Sequence, residues 1–325
     1  MDEDPVILDG GLATELEAAG FQIQGDPLWS AKILHTNPQA VKEAHCRFLR
    51  CGADVITTAT YQASVEGFIQ HLGLTSEQAN QLLMSGCSWP RRRCRTSRVT
   101  VFIQVSTDWH DEMDPLSTPT WRREPLVAGS VGPYGAFLHD GSEYSGSYEE
   151  RMSKEELKAW HRPQVRCLVS AGVDLLAMET IPSLKEAEAL VELLREFPSS
   201  RAWLSFSCKD TQCISNGRRF SEAVQLAGRC KQLVAVGVNC CDPVLVEPLL
   251  ESAGPHRSPD LSWVVYPNRG EEWIQGAGWK TSESKVCLAD LSLKWRRQGA
   301  AWIGGCCRVS PADIAAVRQQ LHGSK

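Results

Sequence analysis

Near the end of a 325-residue chain, Ala301-Trp302-Ile303-Gly304-Gly305-Cys306-Cys307-Arg308 sets two thiols side by side after an apolar run and two glycines. Thiolates are soft ligands and suit zinc. Adjacent residues of a regular strand point to opposite faces, so both sulfurs reach one ion only where the chain is already turning, which Gly304 and Gly305 permit. Two thiolates do not complete a zinc site, which takes four ligands when structural and three protein ligands plus an open position when catalytic. Free cysteine is also among the most buried residue types, so an isolated pair is more often packing than chemistry. The pair acquires a function only if the chain brings a third ligand to it.

The elements that position the pair follow from apolar periodicity. Short β-branched or apolar runs at Val6 to Leu8, Asp54 to Tyr61, Leu126 to Tyr134, Asp174 to Thr180, Ala202 to Ser207, Val234 to Cys240, Trp263 to Asn268 and 301 to 307 read as eight strands. Helical spacing separates them: Pro38 to Leu49, Glu77 to Met84, Glu155 to Ala171, Leu184 to Leu194, Ser221 to Gly228, Leu288 to Gln298 and Pro311 to Gln320. Val244 to Leu250 also reads as a short helix, with Pro248 against it. Eight strands alternating with helices predict an α/β fold of the (β/α)8 TIM-barrel type over residues 1–325, as one domain. The competing doubly wound sheet lacks a G-x-G-x-x-G turn after its first strand.

Composition fits that reading. With 42% hydrophobic and 22% charged residues the chain can bury a large core, and no run approaches a membrane span. A net charge of −5 argues against nucleic acid as a partner. The acidic start Met1-Asp2-Glu3-Asp4-Pro5 lacks the basic and apolar regions of a signal peptide, and thirteen cysteines without a small-domain framework predict reduced thiols in the cytoplasm.

Polar residues fall at the carboxyl ends of the strands: Asp9, Tyr61, Glu179, Cys240, Asn268, Cys306 and Cys307. In a barrel these ends converge on one face, where catalytic groups gather. Cys240 is therefore the expected third thiolate, and Cys241, one residue further on, is assigned to packing. A three-cysteine set leaves one zinc position open. Three thiolates on Zn²⁺ carry a net charge near −1, a poor arrangement for hydrolytic water but a good one for a substrate thiol, which coordination deprotonates. Alkyl transfer to sulfur is the reaction implied.

The same residues fall in longer motifs. These are Asp9-Gly10-Gly11-Leu12-Ala13-Thr14-Glu15-Leu16, Thr60-Tyr61-Gln62-Ala63-Ser64, Gly129-Ser130-Val131-Gly132-Pro133-Tyr134-Gly135, Asp140-Gly141-Ser142-Glu143-Tyr144, Glu179-Thr180-Ile181-Pro182, Gly237-Val238-Asn239-Cys240, Val265-Tyr266-Pro267-Asn268 and Gly304-Gly305-Cys306-Cys307-Arg308. Together they cover nearly the whole chain, which resembles the zinc-dependent homocysteine S-methyltransferases, particularly those using S-methylmethionine. The resemblance implies a zinc ion on Cys240, Cys306 and Cys307, the homocysteine thiolate at the open position, and the amino-acid end of homocysteine held by Glu179 and the Asp9-Gly10-Gly11 turn. Tyr61 and Tyr266 are expected near the sulfonium of the donor, where an aromatic face attracts a cation, and Asn268 near the substrates.

The segment from Ser85 to about Arg123, with Arg91, Arg92 and Arg93 in succession, departs from the family pattern, and Val99 to Val105 within it reads as an extra strand. Arg269 after Asn268 is a smaller departure. Two alternatives stand beside the main reading: a zinc-binding barrel without catalysis, and a methyltransferase of this fold that uses another donor such as betaine.

Overall fold

The computed structural model describes residues 4–87, 124–270, 272–274, 278–280 and 287–323. The strand expected at Val99 to Val105 lies outside them, as does most of the irregular segment. Eight parallel strands form one sheet: β1 (Val6–Ile7), β2 (Val55–Thr57), β3 (Leu126–Val131), β4 (Leu175–Ile181), β5 (Ala202–Phe206), β6 (Leu233–Asn239), β7 (Ser262–Tyr266) and, after the hairpin strands β8 (Glu272–Ile274) and β9 (Gly278–Lys280), β10 (Ala300–Ile303). The sheet order β1-β10-β7-β6-β5-β4-β3-β2 closes on itself, because Leu8 bridges Val55 in parallel and the Asp54 amide donates to the Ile7 carbonyl at 2.7 Å. A closed sheet leaves no exposed edge, and this one is the expected (β/α)8 barrel.

Period-two alternation builds two cores from each strand. On β4, Leu175 and Ala177 face the lumen with Leu8, Val55, Ala128, Trp203, Ala235, Val264 and Tyr266. Leu176 and Met178 face the surrounding helices. Continued by one step, that alternation brings Glu179 to the lumen side at the carboxyl end. The helices begin where the sequence offers caps: Asn37 accepts from the Ala40 amide before Pro38–Arg50, Ser183 from Glu186 before Leu184–Leu194, and Ser310 from Asp313 before Pro311–His322.

Several strands are shorter than their apolar runs. β2 stops at Thr57, three residues after Asp54; the Thr58 amide still donates to the Ala128 carbonyl at 2.9 Å, and beyond it the contact with β3 passes to threonine side chains. Thr60 Oγ1 donates to the Ser130 carbonyl at 2.7 Å, and Thr58 Oγ1 accepts from the Ser130 amide at 2.9 Å. Tyr61 consequently sits on the loop after the strand. Pro243–Leu245 is a 3-10 turn and the helix runs from Val246 to Ala253, so Pro248 falls in its first turn, where its missing amide hydrogen is not needed. The β8–β9 hairpin had no strand signal in the sequence reading.

Candidate metal and substrate site

The thiols of Cys240, at the end of β6, and of Cys306 and Cys307, after β10, lie within 4.8 Å of one another. This is the group of three or more histidine, cysteine or acidic residues with ligand spacing found among the described residues. Strand alternation alone would turn Cys240 toward the outer core, since Val236 and Val238 point that way. Its backbone instead adopts φ 50°, in the left-handed region, and this turns the thiol toward the lumen. Cys241 then falls into the apolar layer between strands and helices, where burial raises its thiol pKa strongly. The two adjacent cysteines of one pair are thus separated by a single backbone turn.

A second left-handed residue, Thr180 at φ 61°, stands beside the first. Asn239 joins the two. Its Oδ1 accepts from the Thr180 amide at 2.8 Å and its Nδ2 donates to Thr180 Oγ1 at 2.8 Å, with the side chain fully buried. Such backbone costs about 1–3 kcal/mol per residue and persists where the surroundings hold it.

The Cys306-Cys307 turn is held by backbone contact on every side. The Cys306 amide donates to the Pro267 carbonyl at 2.8 Å, Cys307 to Asn268 Oδ1 at 3.2 Å, and Gly305 to the Asp9 carbonyl at 3.1 Å. Glycine is required where these segments meet. A Cβ on Gly304 would lie 2.6 Å from Leu8 Cβ and 2.8 Å from the Asp9 carbonyl oxygen, and one on Gly11 would lie 2.7 Å from the Cys306 carbonyl oxygen. The Asp9-Gly10-Gly11 turn is therefore the surface against which the thiol turn packs, and Asn268 is tied to the Cys307 backbone.

Cys240 Sγ and Cys307 Sγ are 3.7 Å apart. Two thiolates about 2.3 Å from a tetrahedral zinc are separated by roughly 3.8 Å, so the spacing fits that ion. Hydrogen bonds from Cys306 and Cys307, and after burial a further one from Tyr144, set the balance at Cys240: its pKa lies well below the usual thiol range, while the same pairing raises Cys306 and Cys307.

Two carboxyls lie in the floor around them. Asp9, 4% exposed, accepts from the Thr57 amide at 2.8 Å and from Thr57 Oγ1 at 3.0 Å. Burial nevertheless pushes its pKa up to about 7, with Glu179 adding repulsion. Glu179, 7% exposed, accepts a hydrogen bond from Ser130 Oγ and is also supported by the Tyr266 hydroxyl; burial again lifts it to about 7, with the Cys240 charge adding to the rise. Tyr266 belongs to this floor: its ring packs in the lumen and its hydroxyl is bonded to Trp203 Nε1 at 2.9 Å and Ser205 Oγ at 2.6 Å. An open aromatic face for a cation is not what it offers. Tyr61 has a buried hydroxyl that faces the Thr180 side chain, close to Glu143 and Cys240.

The homocysteine S-methyltransferase family model matches residues 6–321. The chain belongs to that family. Among members it is 38% identical to the betaine-homocysteine S-methyltransferase of Drosophila melanogaster, over 99% of this chain and 96% of that one. It is 41% identical to the homocysteine S-methyltransferase of Escherichia coli, over 97% and 95%. The metallated form of the E. coli homocysteine methyltransferase MmuM superimposes with a TM-score of 0.78 at 38% identity, covering 98% of this chain and 97% of that one.

Within this family member the barrel brings Asp9, Gly10, Gly11, Tyr61, Glu179, Asn268 and the three cysteines to one face, with Tyr266 beneath. Three contributors escaped the sequence reading. Asn239 was noted as part of a motif, but its bond to Thr180 is visible only in three dimensions. Glu143 and Tyr144 sit in the 3-10 turn Ser142–Tyr144 of the loop after β3. The Tyr144 hydroxyl lies 3.2 Å from Cys240 Sγ although the residue is 43% exposed. This loop is anchored behind by Glu186, which bonds the Tyr148 hydroxyl, the Tyr134 amide at 2.7 Å and His161 Nε2 at 2.8 Å, all in the helix layer. The available signal was the motif Asp140-Gly141-Ser142-Glu143-Tyr144, which marks the stretch without saying which of its residues face inward.

Proposed function

We propose that the protein transfers a methyl group from a sulfonium donor, S-methylmethionine in the first place, to homocysteine, forming methionine. The observation that carries this reading is the three-sulfur cluster with its 3.7 Å Cys240–Cys307 spacing at the carboxyl face of the barrel, ringed by acids. Cys240, Cys306 and Cys307 would hold zinc, which when bound takes up a substrate thiol and deprotonates it. The chain's own groups supply the rest. Asp9 and Glu179, ionised, face the ammonium of homocysteine, an opposite charge that brings both carboxyls back toward the usual range. Tyr61 lines the approach to the sulfonium.

The reaction is an in-line displacement. The homocysteine sulfur forms a bond to the methyl carbon as the bond from that carbon to the donor sulfur breaks, and the electron pair leaves with a neutral thioether. No proton moves in the displacement itself, the thiol proton having passed to solvent when the thiol is deprotonated, so the leaving thioether needs no general acid. The residues act by holding thiolate and methyl at near-attack distance and by excluding water. A cytoplasmic setting agrees with thiols that form no disulfide among the described residues. No helix of the described residues is long and apolar enough to cross a membrane.

The test is methionine formation by the purified protein from homocysteine with S-methylmethionine, S-adenosylmethionine or betaine. Turnover with a sulfonium donor is expected. Turnover with betaine alone would replace the donor in this account, and bound zinc without product from any donor would leave a binding barrel.

A further inference from the structure

Glu143 presents a carboxylate oxygen, Oε2, that is buried and has no hydrogen-bond partner. A buried acceptor left unmet is costly, and native structures seldom keep one without use. Its surroundings fix where it points. The Glu143 carbonyl accepts from Ser207 Oγ at 3.0 Å, a Cβ on Gly135 would lie 2.5 Å from the Glu143 amide nitrogen, and the Gly146 amide closes the turn onto the Ser142 carbonyl at 2.7 Å. Glu143 is close enough to Cys240 and to Tyr61 for their charges to act on one another, and the neighbouring Tyr144 hydroxyl lies 3.2 Å from Cys240 Sγ, so the carboxylate borders the sulfur cluster. The buried Tyr61 hydroxyl stands beside it, facing the Thr180 side chain.

The charge balance points the same way. Among the described residues, the charges that act most on Asp9, Glu143 and Glu179 are Glu179, Asp140 and the Cys240 thiolate, all negative. A cationic group is the occupant such acids favour. Asp9 and Glu179 lie in the floor, whereas Glu143 belongs to the loop after β3, whose Tyr144 is 43% exposed.

We propose that Glu143, assisted by the Tyr61 hydroxyl, is the residue that selects the methyl donor by accepting an N–H hydrogen bond from its ammonium group. The inference rests on the proposed methyl transfer and adds to it a reason for preferring an amino-acid sulfonium over a betaine-type donor. A quaternary ammonium has no N–H to give, so it leaves Oε2 unmet. A site built around a polar contact rejects an analogue lacking it more strongly than an apolar pocket rejects a change of size.

The experiment compares S-methylmethionine with (3-carboxypropyl)dimethylsulfonium, which keeps the sulfonium and carboxylate but carries hydrogen in place of the ammonium. Glu143→Gln is expected to lower the ratio of kcat/KM between the two donors by about tenfold to a hundredfold, the range set by one charged hydrogen bond. The KM for homocysteine is expected to stay within threefold, and the Kd of S-methylmethionine for the metal-free protein, read by titration calorimetry, to rise about tenfold. Tyr61→Phe removes only a hydroxyl and should lower the same ratio by less, which keeps the test available if the glutamine variant does not fold. An unchanged ratio, or equal loss with both donors, overturns the assignment. If the wild-type protein methylates homocysteine with no donor, the proposed reaction fails instead, and the calorimetric comparison still decides the role of Glu143.

Discussion

Asn239→Ala probes the joint between the two left-handed residues that shape the site. Asn239 makes two hydrogen bonds of 2.8 Å to Thr180, and all the atoms are buried. Each bond contributes about 1 kcal/mol net, and an amide left unmet in the interior costs about 1–3 kcal/mol. Without its partner Thr180 is free to leave φ 61°, which returns part of the strain of about 1–3 kcal/mol. The expected net loss is therefore about 2 kcal/mol, read from urea unfolding of the metal-free protein. The larger effect falls on the site, because relaxation at Thr180 moves Glu179 and frees Cys240 from φ 50°. Zinc affinity, measured by chelator competition, should fall at least about tenfold, as for loss of a group that orients ligands. Thr180→Ala removes only the hydroxyl bond and should cost about 1 kcal/mol with little change in zinc affinity. An Asn239→Ala protein within about 0.5 kcal/mol of wild type and within threefold in zinc affinity would refute the reasoning.

Gly304→Ala should destabilise by about 1–3 kcal/mol and lower zinc stoichiometry, since its Cβ would stand 2.6 Å from Leu8 Cβ, beneath the thiol turn; unfolding and metal content on one sample check both. Glu179→Gln addresses the buried carboxyl, whose pKa in the folded protein is raised to about 7. Because that carboxyl holds its proton more tightly folded than unfolded, its contribution favours the fold at low pH and is lost as pH rises from about 4 through 7. Substitution should thus gain about 2 kcal/mol more, relative to wild type, at pH 8 than at pH 5 in ligand-free unfolding experiments, while weakening homocysteine binding. Tyr144→Phe removes the hydroxyl at 3.2 Å from Cys240 Sγ and should weaken zinc binding by about tenfold without altering the unfolding midpoint of the metal-free protein.

The barrel was legible because each wall strand carries its own signal: an apolar run, a polar residue at its carboxyl end, and a helical period behind it. Leu184–Leu194 matches its sequence boundaries because Ser183 and the apolar period both mark them. Strand lengths were less legible, since whether Thr58 and Thr60 continue a ladder depends on Ser130, seventy residues away. The cysteine set was found by strand counting, but alternation alone assigns Cys240 to the wrong side. The deciding variable is a single positive φ, supported by an asparagine whose partner lies on another strand. Glu143 and Tyr144 were hidden for a related reason: a loop has no period, so the direction of its side chains is set by contacts such as Ser207 and Glu186 that only the closed barrel creates. The hairpin strands Glu272–Ile274 and Gly278–Lys280 are three residues each, too short for a pattern to register.

The central claim is that the fold selects Cys240, Cys306 and Cys307, and leaves Cys241 out. Zinc per chain, measured by atomic emission on purified wild-type, Cys240→Ala, Cys306→Ala and Cys241→Ala proteins, tests it directly. The account requires close to one zinc in the wild type and in Cys241→Ala, and loss of stoichiometric zinc in the other two. Full zinc in Cys240→Ala, or its loss in Cys241→Ala, would contradict it.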